Sequence, residues 1–140
     1  LRTRGIRLLW VLHLAFAWLG VAFALHAAHS LLLLAGHGGI GLAPLHALAV
    51  GCFASLLIGM ATRVTLGHSG RGLAPGEGAW GIFLVVQAAA VIRVAAEFTR
   101  APVMESLWGL AAVAWLAAFA WWVGTFAPLY VRRRADGEPG

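Results

Sequence analysis

The chain has 140 residues, room for one compact domain, and only 11% of them are charged while 61% are hydrophobic. A water-soluble domain carries about a quarter charged residues, so this composition, with a mean hydropathy of +0.87, excludes a soluble fold and predicts an integral membrane protein. The net charge of +5 comes entirely from Arg. Those residues flank apolar runs and form no basic face with interleaved aromatics, so the expected partner is the lipid bilayer and not nucleic acid.

Four apolar runs reach the roughly 20 residues that a helix needs to cross a bilayer core. The expected fold is therefore all-α, a polytopic membrane protein with four transmembrane helices in one bundle. The first run covers about residues 6–28, preceded by Arg2, Arg4 and Arg7 and followed by a glycine-rich stretch. The second covers about 44–61, with Pro44 suited to a first helical position and another glycine-rich stretch, Gly67–Gly72, beyond its end. The third covers about 79–98, stopped by Pro102, and the fourth about 104–126, followed by Pro128 and a polar tail. Cys52 is the single cysteine and lies within an apolar run. An intrachain disulfide is thereby excluded, and the residue reads as a small buried apolar group.

The Arg residues orient these runs. Arg2, Arg4, Arg7, Arg63, Arg71, Arg132, Arg133 and Arg134 fall on one side, and only Arg93 and Arg100 on the other. By the positive-inside bias, both termini and the Arg63–Arg71 turn are expected to be cytoplasmic. Ala47, Gly51, Ser55 and Gly59 recur every four residues along the second run. Such a small-residue ridge admits a neighbouring backbone closely and predicts a central second helix.

Six histidines stand out in a chain whose first two runs hold no acidic residue. Imidazole without carboxylate suits haem or copper better than a hard cation. His46, near the outer start of the second run, reads as a ligand or as a hydrated helix-start residue. His13, two turns into the first run, reads as a ligand or as a neutral imidazole bonded to a carbonyl or water. His26 and His29 are three apart and share a helix face. With His37 and His46 they make an outer cluster that reads as a copper site or as solvated interfacial side chains. His68, beside Arg63 and Arg71, reads as a helix-end residue or as part of a site for a propionate or another anion. Arg93 and Glu97, four apart, read first as an ion pair near a helix end, worth a few tenths of a kcal/mol if exposed, with a proton-relay role for Glu97 as the second reading. Gln87 reads as an interhelical hydrogen-bonding residue. The glycine-rich GHSGRG and GHGGIG lack the GK[ST] of a phosphate loop and follow no strand.

Five blocks carry a family resemblance: LLWVLHLAFAWLG (Leu8–Gly20), PLHALAVG (Pro44–Gly51), MATRVTLGHSGR (Met60–Arg71), VVQAAAVIRV (Val85–Val94) and RRRADGEPG (Arg132–Gly140). In order and spacing they resemble the C-terminal part of the NnrS family, haem- and copper-containing bacterial inner-membrane proteins linked to nitric oxide and nitrosative stress. The resemblance implies haem and copper as cofactors and nitric oxide as a ligand. It places His13, His46, His68, Arg63 and Arg71 inside matching blocks, and leaves His26, His29 and His37 between them. Family members are several times longer, so the chain is expected to be the last four spans of such a protein, with the rest of the parent chain completing its sites. A redox enzyme or quinone-linked cytochrome, and a metal-handling or transport module, are the competing readings.

Overall fold

A computed structural model describes residues 2–73 and 76–137, with side chains from residue 9 onward. The side chains of Arg2, Arg4 and Arg7 and the last three residues of the Arg132–Gly140 block lie outside the described residues. The described chain is all-helical. Its four spans are Arg2–Leu34, Ala43–His68, Glu77–Ala96 and Val103–Phe126, and a short 3₁₀ turn, Ala127–Tyr130, extends the last. All four are long and apolar enough to cross a membrane. Large apolar side chains such as Phe16, Phe23, Leu57, Val113 and Leu116 lie exposed along them, as lipid-facing residues should.

Two helices run further than their apolar runs. The first continues through Ser30 and the leucines to Leu34, and the chain then turns at Gly36, whose φ is +76°. The second continues through Thr62, Arg63 and Thr65 to His68 and ends at Gly70, φ +69°. Nothing between those points breaks a helix. A glycine in the left-handed region does, because it alone takes that conformation without a Cβ penalty. His26 and His29 are consequently helical, as is most of Met60–Arg71.

The second span is the centre of the bundle. Buried residues make up 44% of its most apolar window, against 17% in the first and fourth spans. It is wound in two ways. Ala47–Phe53 forms π turns, and Ala54–His68 is α-helical. A repeat of four drifts around an α-helix of 3.6 residues per turn, and wider turns take up that drift. The ridge Ala47, Gly51, Ser55, Gly59 is accordingly buried at every member. The Trp18 ring lies where a Gly51 side chain would be, and Val11 does the same at Gly59.

Polar bonds join the spans in the middle of the bundle. Trp18 Nε1 donates to Gln87 Oε1 at 2.7 Å, and Gln87 Nε2 donates to Ser55 Oγ at 2.5 Å. Gln87 thereby links the first three spans. Trp122 Nε1 donates to Thr62 Oγ1 at 3.0 Å, which links the fourth span to the second. An apolar cluster of Ala54, Ile58, Ile82, Val86, Ala118 and Phe126 packs the second, third and fourth spans together.

Candidate functional site

A cavity with converging polar side chains lies where the second span begins. Pro44 fits the first turn because its missing N–H would have no helical partner there. His46 follows within that turn, its N–H donating to the Leu42 carbonyl at 3.0 Å. Its side chain lines a cavity of about 220 Å³, walled by Val50, Ala89, Arg93, Trp108, Ala111 and Trp115. His46 Nε2 is buried and has no hydrogen-bond partner. Leaving such a nitrogen unpaired costs about 1–3 kcal/mol. Buried polar atoms are otherwise almost always satisfied, so an orphan marks a place where something can bind. The π turns begin at the next residue, and this winding is frequent at functional sites.

Three further residues close the same end of the bundle. Arg93 Nη1 bonds Glu97 Oε1 at 2.6 Å, with the two side chains 19% and 10% exposed. The Arg93 guanidinium lies 5.2 Å from the centre of the Trp108 ring, within cation–π range. Glu97 Oε2 accepts the Leu42 N–H at 3.0 Å. Burial alone would push the Glu97 carboxyl up. The Leu42 N–H and the Arg93 guanidinium, with a smaller contribution from His46, outweigh it and hold the group below its ordinary value. This is a half-buried, three-way junction, stronger than the exposed pair that the i,i+4 spacing suggests.

The other candidate residues are dispersed. His13 is exposed on the first span, and its Nδ1 donates to the Leu9 carbonyl one turn back at 2.7 Å. His26 lines a separate cavity with Ala22, Phe23, Pro44, Leu45 and Leu48. His29 Nδ1 accepts the Ile40 N–H at 3.1 Å, and Gly39 packs against its ring. It therefore pins the loop between the first two spans. His37 is exposed. Among the described residues, no three His, Cys, Asp or Glu side chains converge on one point.

At the opposite end, Arg63 and His68 are both exposed. Arg71 is half-buried, with Nη1 enclosed and lacking a hydrogen-bond partner. The C-terminal segment folds back over this end. Thr65 Oγ1 and Tyr130 Oη are 2.6 Å apart, and the Ala135 N–H donates to the Ser69 carbonyl at 2.9 Å. Arg134 and Asp136 pair at 2.6 Å, with the Asp136 carboxylate against Gly70.

The residues that sequence reasoning left out of the site are Arg93, Glu97 and Trp108. Their signal was depth: Arg93 lies in the last turn of the third span and Glu97 just past its end, at the level where His46 begins the second, and Trp108 lies near the start of the fourth there.

The fold and this site define a four-span integral membrane protein with a half-buried imidazole, its Nε2 enclosed, lining a small cavity at one end of its bundle. The chain belongs to the NnrS family: the family model described as NnrS protein matches residues 1–134. No curated protein and no solved structure matches it.

Proposed function

We propose that this protein is a haem- and copper-binding membrane protein that serves resistance to nitric oxide and nitrosative stress, with His46 as an imidazole donor that would hold the haem. The proposal includes the bacterial inner membrane as its location, with both termini cytoplasmic, on the strength of the Arg distribution. Family membership supports the class. The observation that carries the residue assignment is the buried, unpartnered Nε2 of His46. One inward imidazole from a bundle helix is a sufficient protein donor for haem iron. A cavity of 220 Å³ falls below the roughly 300–1,000 Å³ of organic-ligand sites. It suits a diatomic molecule or the edge of a larger group, and a whole macrocycle needs further surface around it. Bound haem would supply an iron that takes up nitric oxide. The chain's own contribution is the imidazole donor, an apolar wall of Trp108, Trp115 and Ala111, and the Arg93 guanidinium.

His13 donates Nδ1–H to its own helix, which leaves an Nε2 lone pair able to ligate, but it sits on an exposed face of the first span and not in the cavity. His26 and His29 are the copper candidates. His29 Nδ1 accepts the Ile40 N–H, so the neutral ring carries its proton on Nε2, and ligation would require that loop bond to be given up, with further donors joining it.

The test is a reduced-minus-oxidised spectrum of the full-length protein purified after haem-replete expression, with metal analysis alongside. His46→Ala should lose the Soret band, and His37→Ala and His13→Ala should keep it. His26→Ala and His29→Ala should lower copper content and leave the band. A wild-type protein without a Soret band would sink the haem reading, and a band that survives His46→Ala would sink the residue assignment. Nitric oxide should shift the band without turnover; turnover with quinol would favour a redox enzyme instead.

A further inference from the structure

Glu97 makes contacts that the reading of His46 leaves unexplained. Its Oε2 accepts the Leu42 N–H at 3.0 Å, and its Oε1 accepts Arg93 Nη1 at 2.6 Å. Leu42 is the residue that caps the second span, and its carbonyl receives the His46 N–H. Gly41, at φ +56°, holds the Glu97 carboxylate where a side chain of its own would have to go. Arg93 in turn lies over Trp108. One carboxylate thus joins the end of the third span to the first turn of the second and, through Arg93, to the fourth. Arg93 and Trp108 are both walls of the His46 cavity.

We infer that Glu97 is a positioning residue for His46: it fixes the first turn of the second span, and with it the imidazole, and it balances the Arg93 charge at the cavity wall. The inference rests on the reading of His46 as a donor. A carboxylate serves better than a neutral acceptor for two reasons. Charge-assisted hydrogen bonds are shorter and about twice as strong as neutral ones. A guanidinium stripped of its counter-charge would also act strongly across a low-dielectric cavity on any group held at His46. Arg93 alone disfavours a cationic centre there, Glu97 alone favours one, and the pair is close to neutral.

Two measurements test this. Hydrogen exchange on the metal-free protein reads the first turn directly. In Glu97→Ala the Leu42 and His46 amides should exchange about tenfold faster or more, the loss expected for a hydrogen bond to a charged group. Glu97→Gln, whose amide oxygen can still accept from Leu42, should stay closer to wild type. The midpoint potential of the haem-loaded protein reads the charge. It should rise in Glu97→Gln and fall in Arg93→Gln, opposite signs that a merely structural role would not produce. Unchanged exchange in Glu97→Ala would overturn the clasp. Potential shifts of the same sign, or none, would overturn its action on the His46 site. A wild-type protein that binds no haem would remove the His46 reading, and exchange alone would then decide whether Glu97 holds the turn.

Discussion

The second span carries a histidine at each end, and the two ends are built differently. At the His46 end the helix is wound in π turns and partners arrive from the third and fourth spans: Arg93, Glu97 and Trp108. His46 Nε2 is enclosed. At the His68 end the helix is α-wound, and both Arg63 and His68 are exposed. The end with the more unusual sequence, Met60–Arg71, is the end with the less convergent side chains. A distinctive motif marks descent. A site needs groups from several elements aimed at one volume, and the His46 end has that.

The largest expected effect breaks the His46 end through its packing. Gly51 lies in the π turns, and the Trp18 ring occupies the space its side chain would need, with Trp18 Cε3 and Cγ each 2.6 Å from where a Cβ would stand. Gly51→Leu must displace Trp18 and with it the bond to Gln87. Overpacking of this kind costs about 1–3 kcal/mol, and the lost interhelical bond adds about 0.6 kcal/mol or more. Gly20, where a Cβ would meet no atom within 4 Å, is the control. Gly20→Leu should stay within about 0.5 kcal/mol of wild type. Denaturant unfolding in detergent measures both, and equal losses would show that Trp18 does not hold the second span at Gly51.

The four spans and the central ridge were legible because bilayer-length apolar runs and small-residue repeats are linear features of the chain. The convergence at His46 was not. An Arg and a Glu four residues apart read alike whether the pair faces water or a cavity, and the depth of each depends on loop geometry, here on Gly41 at φ +56°. His13 was equally ambiguous. In a helix that is apolar all round, no periodicity shows which face meets protein, and the structure turns His13 outward. The π turns also leave no simple residue signature. Ala47–Phe53 mixes small and apolar residues much as the α-helical stretch Ala54–Ala61 after it does.

An intermediate effect sharpens the comparison through pH. Glu97 has a folded-state pKa below its ordinary 4.5. Its contribution to stability is therefore present above the unfolded value and is lost as pH falls through the folded one. Protonation removes the counter-charge of Arg93 and weakens the bond from Leu42, a loss of about 1.5–3 kcal/mol for bonds to a charged group. Thermal unfolding in detergent should show the His46 end loosening below pH 4.5, and Glu97→Gln should flatten that dependence. An identical acid limb in wild type and variant would mean that Glu97 does not carry it.

The smallest effects belong to the His68 end, and they decide whether the contrast is real. Arg63→Gln and His68→Ala remove exposed side chains and should change stability by no more than about 0.5 kcal/mol, with any haem spectrum unaltered. Arg71 is the sharper case, because its Nη1 is enclosed without a partner. An unpaired buried donor costs desolvation and returns nothing, so Arg71→Gln in detergent should be neutral or slightly stabilising. If it instead destabilises by about 1 kcal/mol or more, beyond the range of an ordinary surface substitution, then Arg71 is held by an anion. In that case the His68 end is a second binding site and the asymmetry of the span disappears. Repeating the measurement with and without anionic lipid separates a headgroup from a protein carboxylate as that anion, since only the first responds to lipid composition.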